Sequence, residues 1–278
     1  MHKEELKIKG GPEAKQESQP KDLPFLDYTR RQYREVSADR IRERAQEIHP
    51  SGNFRFNGRA WEPQEYQGFA IASMVADNPH NDLLPFELEG LQIELISNLY
   101  PADAYYKLPA ASFHQTVANT LSAERFQHSI VDRGLEPAYP EIVREVFTGM
   151  EPSPPAGPVR MKLIGLGIFG TSLGMLGIFE DEEDYNRILR FRSQFYGNSR
   201  LFELGVLLTR PFIGHITLLY VEKLLDRVQR AHLAETVIGI NEQLVRKNVH
   251  FLLSHTELRR YHHLAEFKRP DYYPIHLL

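Results

Sequence analysis

The chain has 278 residues, with 33 Lys+Arg against 37 Asp+Glu, a formal net charge of −4, 42% hydrophobic and 25% charged residues. That composition suits a soluble globular chain of one large domain or two lobes, and it excludes wholesale disorder and collagen-like order. The absence of cysteine excludes disulfides, thiol nucleophiles and Cys-ligated metal centres, and the slightly acidic balance argues against coating long nucleic acid, which needs a basic face.

Residues 1–37 are rich in Lys, Glu, Gln, Gly and Pro (Gly10-Gly11-Pro12, Gln19-Pro20, Leu23-Pro24) and open on Met1-His2-Lys3-Glu4-Glu5. They read as a flexible N-terminal tail without a signal peptide, in keeping with a cytoplasmic location. A single bilobal domain is expected over 38–278. It starts with a charged helix over 38–48, ended by Pro50. A turn around Asn57-Gly58 follows, then a buried strand over 68–75, GFAIASMV. Between Pro85 and Pro101, Leu88, Leu91, Leu95 and Leu99 fall at helical spacing. Residues 112–117, SFHQTV, have the β-branched and aromatic content of a strand.

After a helix over 140–150, residues 151–158 put four prolines into eight positions, a linker between two lobes. Residues 159–169 and 174–179 then read as a hairpin. The 17 uncharged residues 163–179 are short of the ~20 a spanning helix needs and are punctuated by glycine, so no membrane segment is expected. The acidic run Glu180-Asp181-Glu182-Glu183-Asp184 suits the positive end of a helix over 181–205. Residues 211–220, PFIGHITLLY, form another strand. A long helix over 222–246 has Leu224, Val228, Ala231 and Ala234 in phase, and a final strand pair spans 251–267. Each half therefore runs strand, helix, then a strand bearing His-x-Thr, a hint of pseudo-twofold construction.

The two tripeptides are His114-Gln115-Thr116 and His215-Ile216-Thr217. On a strand, residues i and i+2 share a face, so each presents an imidazole beside a hydroxyl, with Gln115 or Ile216 turned the other way. Two such strands meeting at a groove supply what phosphodiester cleavage requires. One histidine takes a proton from the attacking oxygen and the other delivers one to the leaving oxygen, while threonine hydroxyls donate to the non-bridging oxygens. That chemistry calls for no metal and no cofactor. Tyr105 and Tyr106, near the first motif, are candidates to stack on a base; Tyr220 also lies close to a motif, but alternation turns it away from His215 and packing is its expected role.

Other patterns carry less. Gly165-Leu166-Gly167-Ile168-Phe169-Gly170 matches a dinucleotide fingerprint, but residues 171–177 are too short and glycine-rich for the crossover helix that an oxidoreductase of that kind requires, so a tight hairpin is expected. His255, His262 and His263 lie among Arg259 and Arg260 without zinc-ligand spacing and read as a solvated strand face.

The segments Ser112-Phe113-His114-Gln115-Thr116-Val117 and Gly214-His215-Ile216-Thr217-Leu218 resemble the two signature motifs of the 2H phosphoesterase superfamily, which includes bacterial RNA 2′,5′-ligase-like proteins and cyclic nucleotide phosphodiesterases. The resemblance runs over roughly residues 54–270. It implies a bilobal α+β fold: two antiparallel sheets with outer helices, related by a pseudo-twofold, around a central groove carrying both His-x-Thr strands. It also implies His114 and His215 as catalytic residues and Thr116 and Thr217 as phosphate-holding ones. The N-terminal extension and the Leu108-Pro109 approach mark a divergent branch, so substrate does not carry over. The expectation is a monomeric, metal-independent phosphodiesterase acting on 2′,3′-cyclic phosphates or 2′,5′-linked nucleotides or short RNA ends, with no membrane and no long-DNA partner. The alternative is a binding module that holds a nucleotide or RNA end in the same groove without turnover.

Overall fold

A computed structural model describes residues 21–151 and 157–278. It is an α+β structure of two five-stranded antiparallel sheets with helices packed outside them, plus a two-stranded ribbon. The first described elements correct the reading of residues 1–37 as a tail. Residues 1–20 lie outside the described residues, but α1 (Phe25–Glu35) is a helix, followed by α2 (Ala38–Glu47). The helix α1 has almost no apolar stripe to betray it. It docks with Tyr28 and Gln32, both fully buried: the Tyr28 ring packs against Tyr185, Phe179 and Phe212, and both side chains donate to the Gly177 carbonyl.

The ribbon is β1 (Phe54–Phe56) with β2 (Trp61–Pro63), and β3 (Gly68–Met74) is buried at every position. In α3 (Leu84–Asn98) the expected stripe is buried: Leu88, Leu91 and Leu95 point inward and Leu99 closes the end. Its Gln92, also fully buried, donates to the carbonyls of Leu108 and Leu218 and so ties α3 to the second sheet. The strands β4 (Tyr105–Lys107) and β5 (His114–Ser122) follow. The short α4 (Ala123–Phe126) runs into a π-helical turn, and α5 (Tyr139–Thr148) ends the first half. Most of the expected linker, residues 152–156, lies outside the described residues.

The glycine-rich stretch is the hairpin β6 (Val159–Phe169) and β7 (Ser172–Phe179), with strand where a dinucleotide fold needs helix. The helix expected over 181–205 is two. Asp181 caps α6 (Glu182–Gly197), and Asn198, in extended conformation, caps α7 (Ser199–Glu203) by accepting from the Arg200 and Leu201 amides. An internal cap residue ends one helix and begins another, which an acidic start cannot signal. The strand β8 (His215–Val221) is shorter than expected at its N-terminal side. The next helix, α8 (Arg227–Leu244), begins later than expected because Asp226 and Gln229 form a reciprocal capping box. Leu224 and Val228 are consequently 73% and 77% exposed, and the buried face is Leu233, Ala234, Val237 and Ile240.

The final strand pair is divided between sheets. In the second sheet, β9 (His250–Leu253) pairs with β6, whereas β10 (His255–His263) crosses to the first and pairs with β3, β11 (Glu266–Lys268) and β12 (Ile275–Leu277). The orders are β11-β10-β3-β5, with β12 beside β10, and β4-β8-β7-β6-β9. Each half of the chain thus lends strands to the other's sheet: β4 joins the second, and β10 to β12 join the first. Among the described residues no helix is long and apolar enough to cross a membrane.

Candidate active site

Both histidines open their strands, β5 and β8, and the two strands share one burial pattern. His and Thr are half-buried and the residue between them is fully buried, with Gln115 and Ile216 both at 0% exposure. A cavity of about 380 Å³ is lined by His114, Thr116, His215 and Thr217 together. Larger depressions of about 1060 Å³ near Tyr272 and about 730 Å³ near Tyr196 hold none of the four.

The imidazoles are held alike. His114 Nδ1 lies 2.7 Å from the Ser112 carbonyl, and His215 Nδ1 lies 3.1 Å from that of Ile213, in each case two residues back. A carbonyl only accepts, so that contact assigns the proton to Nδ1 and leaves Nε2 as a lone-pair acceptor. Each ring also has a phenylalanine tilted against it: Phe267 at 4.2 Å from His114 and Phe169 at 5.4 Å from His215. Burial pushes His215 down to about 4, with the charges of Arg210 and His114 adding and the Ile213 hydrogen bond opposing. Burial also lowers His114, helped by Arg259 and opposed by the Ser112 hydrogen bond. The rings are therefore close enough for one charge to weigh on the other, and both are neutral at pH 7 in the unliganded protein. Among the described residues neither Thr116 nor Thr217 spends its hydroxyl on a protein partner, which leaves both free to donate.

Gln115 joins the two motifs. Its Nε2 donates to the carbonyls of Thr116 (2.7 Å) and Ile213 (3.0 Å), and its Oε1 accepts from the His215 amide at 2.6 Å. Sequence reasoning turned Gln115 away from the groove and gave it no part; a polar residue at a fully buried strand position was the available signal. The approach to β8 is braced by Asp22, just before α1, by Gln32 on α1 and by Arg192 on α6. Asp22 accepts from the Phe212 amide (2.6 Å) and Arg192 Nε (2.8 Å), and Gln32 donates to the Gly214 carbonyl at 2.8 Å.

Both strands carry a bulge immediately after the motif. The ladder shifts between the pairs Ala72–Thr116 and Ile71–Ala118, and again between Gly174–Thr217 and Leu173–Leu219. A bulge reverses the alternation, so the third residue past each threonine, Asn119 and Tyr220, faces the cavity. Strict alternation had pointed Tyr220 away from His215. The tyrosines on the cavity are Tyr66, Tyr220 and Tyr261, and the expected pair is elsewhere. Tyr105 is buried at 4% exposure in β4, and Tyr106 stacks on Phe54 at 3.7 Å. The solvated face expected around Arg259 and Arg260 is also corrected. Both are buried, Arg259 against Glu257 and Asp77 and Arg260 against Glu136 at 2.7 Å. The cation at the cavity is Arg210, from the loop before β8. No group of three or more His, Asp or Glu positioned to hold a metal ion occurs among the described residues.

No family model matches the chain, and no curated protein does. Among solved structures it is similar to ATU0111, a conserved protein of unknown function from Agrobacterium tumefaciens str. C58. The TM-score is 0.57 at 15% identity, over 80% of this chain and 90% of that one. TT0787 of Thermus thermophilus also aligns at 15% identity, over 76% and 94% of the two chains, with a TM-score of 0.40. At this identity the first likeness is one of fold.

Proposed function

We propose that the protein is a phosphodiesterase of the 2H type, acting without a metal on a 2′,3′-cyclic phosphate or a 2′,5′-linked diester of a nucleotide or short RNA end. The observation that carries the reading is the convergence of His114, Thr116, His215 and Thr217 on one cavity, with both Nδ1 atoms tied to backbone and both Nε2 atoms left over. In hydrolysis of a cyclic ester, one Nε2 accepts a proton as water attacks phosphorus. The other imidazole, protonated, delivers a proton to the ribose oxygen as its bond to phosphorus breaks, leaving a monophosphate. The threonine hydroxyls donate to the non-bridging oxygens, where charge builds. A bound phosphodiester also adds the negative charge that raises a depressed imidazole pKa and favours the protonated partner.

Incubation with 2′,3′-cyclic nucleotides and 2′,5′-linked dinucleotides, with and without EDTA, tests the proposal. Ring opening or cleavage that survives the chelator is the expected result. Tight binding without product would favour the binding module instead, and loss of turnover on chelation would refute the metal-free route.

A further inference from the structure

Among the described residues Arg210 is the only Lys or Arg lining the cavity, and no Asp or Glu lines it. The other arginines nearby are neutralised. Arg192 pairs with Asp22, Arg259 with Glu257, and Arg260 with Glu136. Arg210 has no carboxylate partner among the described residues; its guanidinium donates to Asn119 Oδ1 at 3.3 Å. Its backbone is fixed from behind, because Arg192 donates to its carbonyl at 3.1 Å and Asp22 holds the Phe212 amide. A cation held in place, facing a cavity without an anion, is built to meet negative charge on a ligand.

Its position says which charge. Asn119 lies two ladder steps beyond Thr116, since Ala70 and Ala72 are their partners on β3. That is about 7 Å along the strand. Tyr220, the third residue past Thr217 and beyond its bulge, also lines the cavity. Arg210 therefore stands about one ribose unit away from the place where the two His-x-Thr pairs would grip phosphorus. We infer that Arg210, with Asn119, binds a second phosphate: the one on the 5′ side of the ribose whose diester is cleaved. The inference rests on the phosphodiesterase reading and narrows its substrate to 5′-phosphorylated units. The phosphate is a terminal 5′-monophosphate or the next internucleotide link of a short RNA.

The test compares kcat/KM for three compounds: adenosine 2′,3′-cyclic phosphate, the same compound bearing a 5′-phosphate, and a dinucleotide ending in a 2′,3′-cyclic phosphate. A charge-assisted hydrogen bond of ordinary strength corresponds to a preference of about 10- to 100-fold for a compound with the added phosphate. Whether the monophosphate or the dinucleotide gains more identifies the source. Arg210→Gln brings that ratio close to one, and Arg210→Lys keeps an intermediate value, whatever happens to the common rate. A wild-type ratio of one, or a ratio that Arg210→Gln leaves unaltered, overturns the inference. Should no compound turn over, the phosphodiesterase reading fails, and calorimetry decides the inference separately. Adenosine 2′,5′-bisphosphate must then bind at least tenfold more tightly than adenosine 2′-monophosphate in the wild type, and equally in Arg210→Gln; equal affinities in the wild type reject it.

Discussion

Replacement of Gln115 by leucine is the sharpest probe of how the two motifs are held together. The change keeps the side chain's approximate size at a fully buried position, so its cost reports hydrogen bonding more than a cavity. Three contacts disappear, at 2.6, 2.7 and 3.0 Å. The His215 amide and the Ile213 carbonyl both lose the amide group that bridges them across the lobes. At about 1–3 kcal/mol for each of these two buried groups left without a partner, the expected loss is roughly 2–6 kcal/mol of unfolding free energy. The kinetic effect should exceed what stability alone explains. His215 would lose its hydrogen-bonded tether to β5, and a displacement of about 1 Å in a reacting group can cost 10²-fold. Denaturant unfolding and kcat/KM on a 2′,3′-cyclic nucleotide, measured at a temperature where the variant is fully folded, check both. A stability within about 0.5 kcal/mol of wild type together with turnover within about threefold would refute the bridging role.

Three further outcomes follow from the same geometry. Because burial depresses both imidazoles, the unliganded protein holds one proton on the pair only in acid, so on the proposed mechanism the kcat/KM maximum should lie below about pH 6.5, and Arg210→Gln should move the acid limb upward by removing a positive charge near His215. Folding stability should fall as the pH drops from about 6.5 towards 4, since the unfolded chain takes up a proton that folded His215 refuses. That loss, about 3 kcal/mol, is removed in His215→Gln and is read as the difference between the two proteins' stabilities across that pH range, because His114, His255 and His276 share the direction. Gly214→Ala should lower Tm and loosen α1, because a Cβ there would stand 2.5 Å from the Tyr28 hydroxyl and 2.7 Å from the Gly177 carbonyl; limited proteolysis around residue 25 reports it, and an unchanged cleavage pattern would contradict the bracing role of α1.

What was legible in the sequence was what depends on local pattern. The leucine spacing of α3, the apolar run of β3, the hairpin of β6 and β7, and the same-face placement of each His and Thr all follow from a period of 3.6 or 2. What escaped depends on contacts distant in the chain or on a break in the period. The helix α1 hid because it docks through a tyrosine and a glutamine. Tyr220 was turned the wrong way because the bulge after Thr217 reverses alternation, and β9 and β10 were read as one pair because nothing local says that the chain changes sheets at Ser254. Gln115 and Arg210 were missed for the same reason, since each acquires its meaning from a partner in the other half. Even Tyr105 and Tyr106, close to the first motif in the chain, went to an edge strand of the opposite sheet.

The most direct test replaces His114 and His215 one at a time with alanine and follows hydrolysis of a 2′,3′-cyclic nucleotide by variants whose melting temperatures show that they are folded. A paired acid and base predicts that each substitution alone lowers kcat by about 10²- to 10⁴-fold. Wild-type turnover in either folded variant would contradict it.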